Sequence, residues 1–244
     1  MEIQGKTALV TGAAKRIGRA LALALAGEGM NLLVHYRRSV REVHETQAAA
    51  ERLGVRVHLL QADLKDFSQI QQLIRRAFRL APKIHVLVNN ASIFYKTPLG
   101  KVREKEWDEF FDVNLKAPFF LARAIGLRMF QQKEGKIINL IDWTAFRPYT
   151  QYLPYCASKA ALVSVTQGLA KVLAPYVQVN GVAPGPILPA VGSKSKEMQQ
   201  VIKRTPLKRY GEPSDIAEAV RFLVKSTDFV TGVVLPVDGG NLIA

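Results

Sequence analysis

Short apolar runs alternate with amphipathic stretches along the whole chain. The amphipathic stretches predict helices near 17–28, 40–53, 67–80, 103–130, 155–173 and 213–224. The apolar runs predict strands at Thr7–Val10, Asn31–Tyr36, Val55–Gln61, Val86–Asn89, Lys136–Ile141, Val177–Val182 and Val233–Val237. Strands that alternate with helices indicate a parallel sheet with helices on both faces. The pattern therefore predicts one doubly wound α/β domain over residues 1–244.

One segment departs from this alternation. Residues 184–196, PGPILPAVGSKSK, are rich in Pro, Gly, Ser and Lys and are too polar for a core. They lie between a predicted strand and a predicted helix, where loops often carry function. We therefore predict a mobile substrate-covering loop at about 184–212.

The composition is that of a globular protein, with 244 residues, 48% hydrophobic and 22% charged. The single cysteine, Cys156, allows no intrachain disulfide, which favours a reducing, cytoplasmic setting. No apolar run approaches the ~18 residues of a membrane span. Residues 15–27, KRIGRALALALAG, imitate a signal peptide, but the strand TALV lies ahead of them, so we interpret them as a helix of the domain.

The formal net charge is +14, which raises the question of nucleic-acid binding. The basic residues are spread over the chain without a run of five like charges, so we expect no nucleic-acid partner. Attraction of anionic small molecules is the better explanation. The histidines His35, His44, His58 and His85 show no ligand spacing; we interpret them as structural or exposed and predict no metal site.

The first predicted strand runs into TGAAKRIGRA, residues 11–20, and then into a helix. A glycine turn at this position lets a phosphate approach the backbone and the helix N-terminus. Gly12 and Gly18 hold the outer positions of a Gly-x-x-x-Gly-x-Gly spacing, and Arg16 replaces the middle glycine. Two glycines alone are also compatible with an ordinary strand-to-helix turn.

The second predicted strand ends in HYRRS, residues 35–39. Dinucleotide folds that hold unmodified ribose hydroxyls place an acid here, whereas this chain has Arg37 and Arg38. Adjacent loops should bring Arg16 to the same place, and three guanidinium groups suit a 2′-phosphate. We therefore predict NADPH rather than NADH, the alternative being a solvated basic surface.

Tyr155 and Lys159 lie in YCASK, and their (i, i+4) spacing puts both on one helix face. A neighbouring ammonium favours the phenolate, so Tyr155 is a candidate proton donor to an atom beside a carbon that receives hydride. Cys156 points elsewhere on the helix, and we expect no nucleophilic role for it.

These motifs occur together with QADL (61–64), VLVNNAS (86–92), DVNLKAPFF (112–120), NGVAPG (180–185), PLKRYGEPSD (206–215) and VDGG (237–240). The set resembles the short-chain dehydrogenase/reductase family over essentially the full length. The resemblance implies a Rossmann domain that assembles as a homotetramer. It also implies that Tyr155 is the general acid, and that Lys159 lowers the pKa of Tyr155 and binds the nicotinamide ribose. It further implies that Asn114 holds a water in a proton relay, that Asp63 contacts the adenine and that Asn90 lines the cofactor site. The remaining expected cofactor contacts are Ile17, Tyr36, Ser39, Leu64, Ala91, Ser92, Pro184 and Gly185.

Asp142 ends the predicted strand Lys136–Ile141, where most members of this family carry a serine. A carboxylate is a poor stabiliser of an alkoxide but a good partner for N–H donors. Together with Arg16, HYRRS and Phe94, it resembles the pteridine reductase branch. That resemblance implies that Asp142 and Tyr155 bind or protonate a pterin, that Phe94 stacks on it and that Arg16 and Ser92 contact it.

The sequence thus predicts an NADPH-dependent reductase of a dihydropterin or dihydrofolate-type substrate. A carbonyl reductase, for example of 3-oxoacyl thioesters, stays as the alternative, and a non-catalytic NADPH-binding protein is a third hypothesis. Two structural alternatives also stay open: Asp142 could cap a loop at the end of the strand, and Phe94 could be a core residue.

Overall fold

The computed structural model describes residues 1–188 and 195–244. Seven parallel strands form one sheet in the order β3-β2-β1-β4-β5-β6-β7. The strands are β1 (Thr7–Val10), β2 (Asn31–Tyr36), β3 (Val57–Gln61), β4 (Val86–Asn89), β5 (Gly135–Leu140), β6 (Val177–Pro184) and β7 (Val234–Val237). This is a single-domain α/β Rossmann fold, as predicted. The strand order reverses between β1 and β4, where such sheets open a crevice for ligands.

Helices cover both faces of the sheet. They are α1 (Arg16–Gly27), α2 (Val40–Glu51), α3 (Phe67–Leu80), α4 (Glu104–Phe111), α5 (Ala117–Gln131), α6 (Leu153–Leu173), α7 (Ser195–Arg204) and α8 (Pro213–Arg221). The predicted helix 103–130 is interrupted, because a π-helical turn at Asp112–Lys116 separates α4 from α5. A second π-helical turn, Phe222–Ser226, follows α8.

The core has two layers because successive strand residues point to opposite faces. On one face, Val10 and Leu32 pack with Leu21 of α1. On the other, Leu9 and Leu33 join the cluster that contains α3 and α5. Burial on both faces explains why the strands are continuous apolar runs in the sequence.

The segment predicted as a loop, about 184–212, is partly helical. The helix α7 occupies Ser195–Arg204, so a wholly irregular loop is wrong for this part. Its apolar positions Met198, Val201 and Ile202 follow the i, i+3, i+4 spacing of an amphipathic helix, which is the signal that could have identified it. Residues 189–194 lie outside the described residues, and the covering role of the segment stays a prediction. Within the described ranges, no helix has the length and apolar character needed to cross a membrane.

Candidate active site

Gly12, in the turn after β1, and Gly18, in the first turn of α1, leave no room for a side chain without a shift of the neighbouring atoms. Gly12 has φ +63°, and a Cβ there would lie 2.9 Å from Ala91 Cα. A Cβ at Gly18 would lie 2.1 Å from the carbonyl oxygen of Gly12 and 2.6 Å from Asn90 Nδ2. Asn90 in turn donates hydrogen bonds to the carbonyls of Thr11 (2.8 Å) and Gly12 (3.1 Å). The turn is therefore packed directly against the loop that follows β4.

Arg16 has φ +56°, a left-handed backbone conformation that favours glycine. It is the residue that replaces the middle glycine of the predicted loop. The backbone here keeps the shape of a glycine turn while it carries a guanidinium side chain. Strain of this kind persists where the surrounding structure enforces it and is frequent at ligand sites.

A cavity of about 460 Å³ opens beside this turn, at the crevice between β1 and β4. Arg16, Arg37 and Arg38 all line it, as expected from the adjacent loops. The other predicted cofactor residues on its wall are Gly12, Ile17, Gly18, Tyr36, Ser39, Asp63, Leu64, Asn90, Ala91 and Ser92. Within this wall Asp63 pairs with Arg37, at 3.6 Å between Oδ2 and Nε. The basic wall is thus part of a concave site, in which Arg16 and Arg38 are exposed to solvent and Arg37 is half-buried.

The reacting end lies at the carboxyl end of β5, where Asp142 faces α6. The hydroxyl of Tyr155 donates to Asp142 Oδ2 at 2.8 Å. The other carboxylate oxygen accepts from the backbone N–H (2.9 Å) and the hydroxyl (2.7 Å) of Thr144. Asp142 is therefore the cap of a short helical turn, as one sequence interpretation expected, and also the hydrogen-bond acceptor of Tyr155. Its contact with a substrate stays a prediction. Lys159 Nζ donates to the Leu140 carbonyl at 2.8 Å.

Burial and charge shift the pKa of all three groups. Burial raises the pKa of Asp142, against the hydrogen bonds from Thr144 and Tyr155. Burial, and then the charge of Asp142, raise the pKa of Tyr155 well above 10. Burial lowers the pKa of Lys159 to about 8, and Asp142 opposes this. The pKa of Tyr155 is therefore shifted in the direction opposite to the lowering expected from Lys159, because burial and the charge of Asp142 raise it. A raised pKa keeps Tyr155 protonated, which is the form a proton donor needs.

Asn114 sits in the π-helical turn between α4 and α5 and is fully buried. Its Oδ1 accepts from the Ser92 hydroxyl (3.1 Å) and the Ile93 N–H (3.0 Å), and its Nδ2 donates to the Ile93 carbonyl and to Ser158 Oγ. Ser92 also lines the cavity, and Ser158 Oγ donates to the backbone carbonyl of Tyr155 at 2.6 Å. Ser92 and Asn114 thus connect the basic wall to the reacting end.

Aromatic rings surround the dyad of Tyr155 and Asp142. Phe94 stacks on Tyr152 with ring centroids 4.5 Å apart and planes 4° from parallel, and it meets the Tyr155 ring edge-on at 4.8 Å. Phe94 is 45% exposed, so it is not a core residue. Trp143 packs at right angles to Tyr149, 5.3 Å away.

The structure does not bring every predicted residue to the cavity wall. Tyr155 and Lys159 lie beyond it, at the reacting end, and so does Asp142. Pro184 ends β6, and the N–H of Gly185 donates to the Val237 carbonyl at 2.9 Å. These two positions lie at the same carboxyl edge of the sheet as the rest of the site.

Sequence reasoning missed three residues that build the site. His35 has the structural role expected of it, since it is buried and hydrogen-bonded to backbone groups, but no sequence pattern predicts its position in the cavity wall. Thr144 orients Asp142, and Tyr152 supports Phe94. Tyr152 lies three residues before Tyr155, at the N-cap of α6. This short spacing from Tyr155 is the sequence signal that could have placed Tyr152 at the site.

Over nearly its whole length the chain is similar to known oxidoreductases. The family model described as enoyl-(acyl carrier protein) reductase matches residues 12–241. A 3-oxoacyl-(acyl-carrier-protein) reductase of Staphylococcus epidermidis is 34% identical over 239 residues, which are 96% of this chain and 98% of the relative. FolM alternative dihydrofolate reductase 1 from Brucella canis, solved with NADP, superposes with a TM-score of 0.93 at 32% identity, covering 100% of this chain and 96% of that one. Acetoin dehydrogenase YohF from Salmonella typhimurium superposes with a TM-score of 0.90 at 30% identity, covering 99% and 98%.

The fold, the family model and the relatives all indicate one class of protein. The chain belongs to the short-chain dehydrogenase/reductase family and is an oxidoreductase of that family. The family binds a nicotinamide dinucleotide, and the cavity beside the glycine turn has residues suited to it.

Proposed function

We propose that this chain is an NADPH-dependent reductase of a pterin, of the dihydropterin or dihydrofolate type. The observation that carries the proposal is the contact between the Tyr155 hydroxyl and the Asp142 carboxylate at 2.8 Å. It puts an acceptor for N–H groups next to a protonated phenol, and the exposed ring of Phe94 lies 4.8 Å from the ring of Tyr155.

The residues of the cavity fit a dinucleotide with a 2′-phosphate. A volume of about 460 Å³ is in the range of cofactor pockets. Arg16, Arg37 and Arg38 would hold the phosphate by charge-assisted hydrogen bonds. Asp63 would contact the adenine while it orients Arg37, and Asn90 and Ser92 would lie along the path to the reacting end. The FolM structure from Brucella canis, complexed with NADP, supports this choice of cofactor.

When bound, the reduced nicotinamide supplies a hydride. Tyr155 supplies the proton to the ring nitrogen beside the carbon that is reduced, because its raised pKa keeps it protonated. Its hydroxyl must turn from Asp142 towards the substrate to do so. Asp142 then accepts hydrogen bonds from the N–H groups of the pterin, which are numerous and need acceptors. Lys159 would hold the nicotinamide ribose and Asn114 a water of the proton relay.

The substrate ring would stack on the face of Phe94 that Tyr152 does not cover, with the nicotinamide as the opposite wall. Offset stacking of this kind contributes about 0.5–1.5 kcal/mol beyond the area buried. Arg16 and Ser92 would contact the pterin from the cofactor side. Residues 184–212 would cover the bound substrate, and we also propose a cytoplasmic homotetramer, which sedimentation of the purified protein would test.

A second candidate is a carbonyl reductase that acts on 3-oxoacyl thioesters. The named curated relatives support it more strongly than the pterin proposal, since the relative from Staphylococcus epidermidis has that name. The argument against it is electrostatic. A carboxylate within hydrogen-bond reach of Tyr155 would repel the negative charge that develops on a ketone oxygen.

The deciding experiment is NADPH oxidation, followed by absorbance, with dihydrobiopterin, dihydrofolate and an acetoacetyl thioester in parallel. Turnover of the pterins alone supports the proposal, and turnover of the thioester alone refutes it in favour of the second candidate. Asp142→Ser and Asp142→Asn form a matched pair, since both remove the charge and only Asn keeps the size. Both should lose pterin turnover by at least tenfold. A variant that keeps full pterin turnover would remove Asp142 from the mechanism, and no turnover of any substrate would favour a binding protein.

A further inference from the structure

His35 is a buried histidine in the wall of the cofactor cavity. It lies on β2, two residues before Arg37, and its side chain is 2% exposed. A buried imidazole needs hydrogen-bond partners for its ring nitrogens. Both partners are backbone groups at the edge of the cavity, on two different segments.

The hydrogen bonds identify the tautomer. Nδ1 accepts from the backbone N–H of Gly12 at 3.1 Å. Because that backbone group can only donate, Nδ1 carries no hydrogen. The hydrogen is therefore on Nε2, which lies 3.1 Å from the Ala62 carbonyl and donates to it. The backbone of the same residue adds a third link, since the His35 carbonyl accepts from the Ala13 N–H at 3.0 Å.

We propose that neutral His35 is a positioning residue for the dinucleotide, which sets the glycine turn relative to the segment that carries Asp63. The ring bridges the turn after β1 and the residue after β3, the two elements on either side of β2. Arg16 follows on one of these segments, and Asp63, the partner of Arg37, on the other. The bridge therefore controls the spacing between the two halves of the basic wall.

Protonation would break the bridge, because a hydrogen on Nδ1 would point at the N–H of Gly12. The structure disfavours that form. Burial lowers the pKa of His35 to about 4, although the Ala62 carbonyl and the charge of Asp63 both oppose the shift. The Gly12 N–H is also used by this bond, so a cofactor phosphate must find its donors further along the turn. The inference depends on dinucleotide binding alone and is independent of which substrate is reduced.

The test compares His35→Leu and His35→Asn with the control His58→Leu, a change at an exposed histidine on neighbouring β3. Calorimetry measures the Kd of NADPH and NADH, and the tighter of the two is used for comparison. His35→Leu should raise that Kd at least tenfold while kcat at saturating cofactor changes less than twofold. His35→Asn, which keeps an acceptor and a donor, should recover part of the affinity, and His58→Leu should match the wild type.

An unchanged Kd in folded His35→Leu, or a fall in kcat as large as the rise in Kd, would overturn the proposal. Nitrogen-15 NMR of the wild-type chain gives a readout that needs neither variant nor turnover. It should show His35 with Nδ1 free of hydrogen and Nε2 protonated at pH 7. The opposite tautomer, or a protonated ring, would also overturn it, even if both variants failed to fold.

Discussion

Arg16 combines a glycine-type backbone with a charged side chain, so two substitutions can separate the two properties. Arg16→Gly removes the charge and relieves the backbone, whereas Arg16→Ala removes the charge and keeps the φ of +56°. An L-residue in the left-handed region costs about 1–2 kcal/mol. Arg16→Gly removes this cost, but the greater loss of chain entropy when glycine folds cancels about 0.5–1 kcal/mol of the gain.

The Gly variant should therefore exceed the Ala variant by about 1 kcal/mol in free energy of unfolding. For a chain of this size that is about 2–4 °C in melting temperature. Cofactor affinity should behave differently. A hydrogen bond to a charged group contributes about 1.5–3 kcal/mol, so both variants should bind NADPH about 10–100-fold more weakly.

Thermal and urea unfolding measure the first effect, and calorimetry with NADPH measures the second. Equal stabilities of the two variants would refute the argument from the backbone. Wild-type affinity for NADPH in either variant would refute the phosphate contact of Arg16. Both variants lose the same guanidinium contacts. The difference in stability between them therefore reports the backbone alone, and their shared loss of affinity reports the side chain.

Three further predictions concern the reacting end and the cavity wall. Tyr155→Phe should lower kcat by about 10²–10⁴ with an unchanged Kd for NADPH, and an active variant would show that another group supplies the proton. Phe94→Ala should raise the KM for dihydrobiopterin about tenfold, as expected for a lost ring contact, while Phe94→Tyr stays close to the wild type; equal effects of the two would exclude stacking. The imidazole of His35 has a pKa near 6.5 in the unfolded chain and about 4 in the folded chain. Neutral His35 therefore stabilises the fold fully above pH 6.5, and this stabilisation is lost as the pH falls towards 4 because the unfolded chain is protonated first. The free energy of unfolding of the wild type, relative to His35→Asn, should therefore fall by about 3 kcal/mol over that range, and parallel pH curves would contradict it.

Much of the fold could be predicted because buried parallel strands have a simple signature. The strands β1, β2 and β4 have the bounds expected from their apolar runs. The site followed in part from the same signature, because the carboxyl ends of such strands meet at one edge of the sheet. For this reason the sequence alone predicts that Arg16, Arg37 and Arg38 lie close together.

The remainder depends on contacts that have no sequence period. The bridge made by His35 is a pair of bonds to backbone atoms, and any residue could supply those atoms. Similarly, the stack of Phe94 on Tyr152 joins positions that are far apart in the chain. The pKa of Tyr155 was expected to fall because of Lys159, but the balance was decided by burial and by Asp142, which only the packed structure reveals.

The π-helical turn at Asp112–Lys116 has a consequence for how this helix can change. A wider turn of this kind holds one residue more than the α-helical path needs, and it is found frequently at functional sites. Asn114 reaches Ser92, Ile93 and Ser158 from inside that turn. Because the turn already absorbs the extra residue, deletion of Asn114 would let α4 and α5 join into one regular helix while the residues on either side keep their present faces. The helix would become more regular at the cost of the amide that connects the cofactor wall to Tyr155.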